Sequence, residues 1–152
     1  MSEERATRWL GLGELAVLQG QRAGVTGLGS CIAVAVMEEL PSRLAVALHI
    51  VYPGKGPGSH YAETAVQEAL DWLARLGHGL QLKAWLAGAA TLFANLSEPV
   101  GPKLAQSVLE ALATRGIEVA EADLGGFRAR RVTFDPLNKT MRIAYGPSLN
   151  HG

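Results

Sequence analysis

The chain has 152 residues, 48% of them hydrophobic and 18% charged, which suits one domain over 1–152 with a substantial core. Fourteen basic and fourteen acidic side chains cancel to a formal net charge of 0, so no nucleic-acid or anionic-membrane surface is expected. No apolar stretch reaches the roughly 18 residues of a membrane span, and no apolar signal region follows Met1-Ser2-Glu3-Glu4-Arg5. One cysteine cannot form an internal disulfide, which suits the cytoplasm.

Residues 1–8 and 147–152 read as loose termini. Trp9 to Leu18 reads as a first strand, weakened by Gly11 and Gly13, and Gln19 to Gly24 as a turn-rich link. Val25-Thr26-Gly27-Leu28-Gly29-Ser30-Cys31 then leads into the apolar run Ile32 to Val36. A second run, Leu44 to Val51, follows a polar break at Glu38 to Arg43 that holds Pro41 and Ser42, so the two runs predict a β-hairpin. Pro53 to Ser59 is a loop, either bordering a cleft or simply connecting a strand to a helix. Ser59 is the predicted N-cap of a helix ending near Gly77, with Ala62, Ala65, Val66, Ala69, Leu70, Leu73 and Leu76 as its buried face. Leu80 to Leu86 reads as a strand. Gly88-Ala89-Ala90-Thr91 is small enough for close backbone approach. Pro102 opens a second helix that buries Ala105, Val108, Leu109 and Leu112 before Gly116. Gly116 to Ala120 enters a strand, Gly125-Gly126 turns, and Phe127 to Phe134 and Thr140 to Tyr145 pair across Asp135 to Lys139. Arg128, Arg130 and Arg131 read as surface charge. The order gives a mixed α/β domain, and the early hairpin argues against a purely parallel sheet.

The hairpin carries the chemistry. With a turn near Leu40, partner numbers sum to about 80, so Cys31 faces His49. Alternation puts Cys31, Ala33, Ala35, Ala45, Ala47 and His49 on one face, and Ile32, Val34, Val36, Leu44, Val46, Leu48 and Ile50 on the other. A thiol beside an imidazole suits nucleophilic catalysis through a thiolate–imidazolium pair. Gly27 and Gly29 permit a sharp turn that brings backbone N–H groups near the sulfur as an oxyanion hole. A buried structural cysteine and a structural histidine are the plain alternatives. Cysteine and histidine show no metal-ligand spacing, and no metal or organic cofactor is expected.

Thr26-Gly27-Leu28-Gly29-Ser30-Cys31 and Ala47-Leu48-His49-Ile50-Val51-Tyr52-Pro53 resemble the CheD family of chemoreceptor glutamine deamidases. So do His60 to Val66, Ala87 to Phe93 and Glu121 to Arg130, in the family's order over about residues 10 to 145. The resemblance implies a β-sandwich-like core of mixed sheets with flanking helices, similar to the cysteine-dependent glutamine deamidase toxins. It implies deamidation of receptor glutamines to glutamates, with Cys31 and His49 catalytic and Gly29 and Ser30 shaping the site. Its implied partners are methyl-accepting chemotaxis receptors and a CheC-like response-regulator phosphatase. The family's third catalytic residue is a threonine six positions before the cysteine, and here that position is Val25. Thr26 is the candidate substitute, although an extended chain turns it the other way; a backbone carbonyl is another. The family's Arg-Asn after a glycine is replaced by Lys103-Leu104. Val25 leaves open an alternative: a weakened or inactive adaptor that binds receptors or the phosphatase.

Overall fold

Two mixed sheets and two helices build the computed structural model, which describes residues 6–92 and 100–148. The elements are β1 (Thr7–Trp9), β2 (Leu15–Gln19), β3 (Arg22–Leu28), β4 (Ile32–Glu38), β5 (Leu44–Ile50), α1 (Ala62–Leu76), β6 (Leu82–Gly88), α2 (Val100–Thr114), β7 (Glu118–Leu124), β8 (Arg128–Asp135) and β9 (Thr140–Ser148). One sheet runs β1-β3-β8-β9 and the other β2-β5-β4-β6-β7. Each is antiparallel except for one parallel pair, β1 with β3 and β6 with β7.

The alternation in β4 and β5 decides the layering. Ile32, Val34, Val36, Leu44, Val46, Leu48 and Ile50 form a core with Ala62, Ala65, Val66, Ala69 and Leu73 of α1 and Leu104, Val108 and Leu112 of α2. Ala33, Ala35, Ala45 and Ala47 point the opposite way, into a second core with Val25, Leu28, Val132 and Phe134 of the other sheet. The small-residue face is therefore the interior of a β-sandwich rather than an open surface. Every residue of both strands is buried.

The hairpin is present with a register two residues from the expected one: Val36 pairs with Val46 and Ala33 with His49. A shift of two preserves every face. The predicted first strand splits, because Gly13 adopts φ +72° and Glu14 N–H bonds Gly11 O, turning the chain from one sheet to the other. Thr7 and Arg8, expected to be loose, lie in β1 against β3, and Pro147 and Ser148 lie in β9. Residues 1–5 and 149–152 of the expected loose termini, and Phe93 of the Ala87 to Phe93 segment, fall outside the described residues.

Ser59 does not cap α1. Tyr61 holds the N-cap position without a side-chain bond, and Ser59 Oγ donates to Gly13 O at 2.6 Å. In α2 the buried face is Gly101, Leu104, Val108, Ala111 and Leu112, while Leu109 is exposed and Ala105 only partly buried. Adjacent apolar pairs, Leu104-Ala105 and Val108-Leu109, let periodicity fit two rotations. Backbone contact chooses between them, since a Cβ on Gly101 would lie 2.4 Å from Ala89 O. Arg130 is buried rather than on the surface: Nη1 bonds Asp123 O at 2.7 Å and Oδ1 at 2.6 Å, and Nη2 bonds Gly125 O. It joins β7 of one sheet to β8 of the other.

Glu38, buried at the end of β4, holds the hairpin to the turn after α1. Ser42 Oγ donates to Oε1 at 2.7 Å, His78 N–H to Oε2 at 2.7 Å and His78 Nδ1 to Oε1 at 3.0 Å. Burial disfavours the carboxylate, but these bonds outweigh it and hold the group at about 2, below its ordinary 4.5. The stabilisation is therefore complete above the unfolded value and is lost as pH falls toward about 2. Glu38→Ala should cost roughly 1–3 kcal/mol at neutral pH by leaving buried donors unpartnered. In denaturant melts, the gap between wild type and variant should narrow as pH falls below the ordinary carboxylate range. A gap independent of pH would show that the Glu38 charge contributes nothing.

Candidate active site

His49 sits near the end of β5, on the alanine-lined face, opposite Ala33. An imidazole in an apolar layer needs a hydrogen-bond partner. Its Nδ1 lies 3.2 Å from the carbonyl oxygen of Leu10. A carbonyl only accepts, so Nδ1 carries the proton and Nε2 is left with its lone pair.

Cys31 precedes β4, at the bend that links it to β3, and its half-buried side chain packs against the same inter-sheet core. Ala33 is directly opposite His49, so Cys31 is its diagonal neighbour across the hairpin. Such positions lie roughly 7–8 Å apart at the backbone, within reach of longer side chains. The bend is held through its carbonyls. Ala89 N–H bonds Cys31 O at 2.9 Å and Ala90 N–H bonds Gly29 O at 3.0 Å. This approach is so close that a Cβ on Gly88, at φ +125°, would lie 2.1 Å from Cys31 O. Gly125 N–H to Gly88 O, 2.8 Å, and Thr91 N–H to Gly126 O, 2.9 Å, hold the far side of that segment.

Electrostatics favour a neutral pair over the ion pair expected from the sequence. Burial pushes the Cys31 thiol up from its ordinary 9.0. Burial also lowers His49 below 6.5, only partly offset by the Leu10 and Gly11 backbone and by Glu14. Each shift disfavours the charged form.

The other candidates divide by face. Val25 is fully buried in the inter-sheet core, whereas Thr26 is exposed on the outer side of β3, lining a shallow cavity with Gly27, Ala129 and Tyr145. Thr26 is thus not brought into the layer that holds His49. Gly27 has the positive φ expected, +60°, but Gly29 does not. Gly29 is small for packing instead, since a Cβ there would lie 2.9 Å from Leu92 Cδ1. Ser30 is exposed at the bend. The Pro53–Ser59 loop folds back onto the helices, with Gly54 N–H on Ser107 Oγ and Gly56 bonded to Thr64. Only its end approaches the His49 side, where Ser59 and the His60 ring meet Gly13. Sequence reasoning missed Leu10 because the group that matters is its carbonyl, which side-chain identity does not encode. The one local signal was Gly11-Leu12-Gly13, a turn signature that places some carbonyl off the sheet ladder.

Residues 53–145 match the CheD family, described as CheD chemotactic sensory transduction. The chemoreceptor glutamine deamidase CheD of Thermotoga maritima is 33% identical over 133 residues, covering 83% of this chain and 83% of that protein. The chain belongs to the CheD family. The probable chemoreceptor glutamine deamidase CheD of Archaeoglobus fulgidus is 30% identical, covering 90% of this chain and 91% of its own length. The probable chemoreceptor glutamine deamidase CheD 2 of Methanosarcina acetivorans is 31% identical over 89% of this chain, which spans 64% of that longer relative. Leu104, beside Lys103, is fully buried in α2.

Gly88→Ala tests whether the bend depends on close backbone approach. The added methyl meets a backbone carbonyl and should cost roughly 1–3 kcal/mol. It should also change the rate at which iodoacetamide alkylates Cys31 in the folded protein. Unchanged stability together with an unchanged alkylation rate would mean that the bend adjusts freely.

Proposed function

We propose that this chain hydrolyses glutamine side-chain amides of chemoreceptors to glutamate, releasing ammonia, with Cys31 as nucleophile and His49 as general base and acid. One observation carries the reading: an imidazole whose Nδ1 donates to Leu10 O, which leaves the lone pair on Nε2, shares the inter-sheet layer with the thiol. The relatives, named as chemoreceptor glutamine deamidases, supply the substrate class.

From a neutral pair, Nε2 takes the thiol proton as Sγ attacks the carboxamide carbon. The N–H groups of the Gly29-Ser30-Cys31 bend hold the tetrahedral oxyanion, on a loop fixed by its Gly29 and Cys31 carbonyls. The imidazolium returns the proton to the leaving nitrogen, ammonia departs, and a thioester to Cys31 remains. Nε2 then deprotonates water, which attacks the thioester carbon. Collapse restores the thiol and frees the glutamate side chain. The substrate is the cytoplasmic part of a receptor, so the protein works in the cytoplasm beside the membrane; no described helix is long and apolar enough to cross one. A CheC-like phosphatase is the second partner proposed, on the family resemblance. The adaptor reading rested on Val25, and it weakens when Nδ1 has another partner.

A receptor cytoplasmic fragment and an ammonia assay test the proposal. The rate should fall as pH drops through a midpoint below 6.5, because protonating His49 removes the base and burial lowers its pKa. Cys31→Ala should remove ammonia release while changing stability by roughly 1 kcal/mol or less. Release that survives in folded Cys31→Ala would contradict the mechanism. Binding of the fragment without release by the wild type would favour the adaptor.

A further inference from the structure

We infer that the backbone carbonyl of Leu10, rather than any side chain, is the group that orients His49 and fixes its Nδ1–H tautomer. The inference deepens the reading above, and its first readout does not depend on catalysis. Leu10 O accepts from Nδ1 at 3.2 Å, in a buried setting where an unpartnered ring N–H would be costly. Val25, in the same core, offers only methyl groups.

The acceptor is held as firmly as a side chain would be. Leu10 N–H bonds Gly24 O at 2.8 Å, tying the residue to β3, and the Leu10 side chain is buried between the sheets. Gly13 N–H bonds His49 O at 2.9 Å and His49 N–H bonds Glu14 O at 3.2 Å. Ring and acceptor therefore belong to one hydrogen-bonded frame. The frame is closed from outside by Ser59 Oγ on Gly13 O and by the His60 ring, whose atoms lie 2.2–2.4 Å from where a Gly13 Cβ would be. Gly13, at φ +72°, is thus a positioning residue: it lets the turn fit beneath His60 and sets where Leu10 O points. A neutral acceptor orients the ring without itself supplying a counter-charge to hold an imidazolium; the Glu14 charge offsets the effect of burial only in part. The imidazole is oriented as in a triad while remaining a free base.

The test is long-range proton–nitrogen NMR on the whole nitrogen-15-labelled protein, at a pH where the imidazole is neutral. His49 should show the Nδ1–H pattern in wild type and in Val25→Thr, and Val25→Thr should turn over at the wild-type rate while losing stability for its buried hydroxyl. Gly13→Ala should mix the tautomers and slow turnover, and Gly13→Ala/His60→Ala should recover part of the Nδ1–H pattern by removing the clash, the positive φ at residue 13 retaining the rest of the strain. An Nε2–H or mixed pattern in wild type overturns the inference, as does a faster Val25→Thr. Should Gly13→Ala fail to fold, the wild-type pattern decides alone. A clean Nδ1–H pattern without ammonia release supports Leu10 and counts against the deamidase reading instead.

Discussion

The thinness of the layer between the two sheets is the constraint on which the site depends. Ala33, Ala35, Ala45, Ala47 and Ala87 face the second sheet across a space that larger side chains would force apart. The Ile, Val and Leu residues of β4 and β5 are turned to the helices, where they fill a second core, while Met37 and Trp85 lie with the alanines. An imidazole entering the thin layer finds alanine methyls on its strand face, and it is satisfied by the backbone at the layer's rim. Leu10, where the chain leaves one sheet for the other, is that rim.

Backbone rather than side chains does much of the positioning. Gly88 lets the carbonyl of Cys31 approach and be bonded, Gly101 lets α2 reach Ala89, and Gly13 lets the Leu10 turn sit under His60. Arg130 then joins β7 to β8 beside the Gly125-Gly126 turn, which is bonded to Gly88 and Thr91. The Gly29-Ser30-Cys31 bend is therefore held by both sheets. Burial raises the thiol and lowers the imidazole, so each shift favours the uncharged form.

Much of this was legible in the sequence where the signal was periodic. The hairpin, its two faces and the positions of Cys31 and His49 on one of them follow from alternation, and they survived a two-residue error in register because parity was kept. What failed was set by contacts distant in the chain. Nothing local shows that Ser59 would bond Gly13 instead of capping α1, or that Arg130 would be buried by Asp123. The rotation of α2 was ambiguous because neighbouring apolar residues fit two faces, and the choice fell to a glycine against a carbonyl. Val25 was read as lacking the hydroxyl that the family resemblance implies, with a backbone carbonyl as one substitute acceptor, but which carbonyl bonds His49 could not be read from side chains.

The central claim is that the reaction passes through a thioester on Cys31, and hydroxylamine interception measures it most directly. The folded protein and a receptor cytoplasmic fragment are incubated with hydroxylamine, and modified glutamines are mapped by mass spectrometry. The account predicts γ-glutamyl hydroxamate at the same glutamines that otherwise become glutamate, and none with Cys31→Ala. Glutamate formed by the wild type with no hydroxamate at high hydroxylamine, or hydroxamate formed by folded Cys31→Ala, would contradict it.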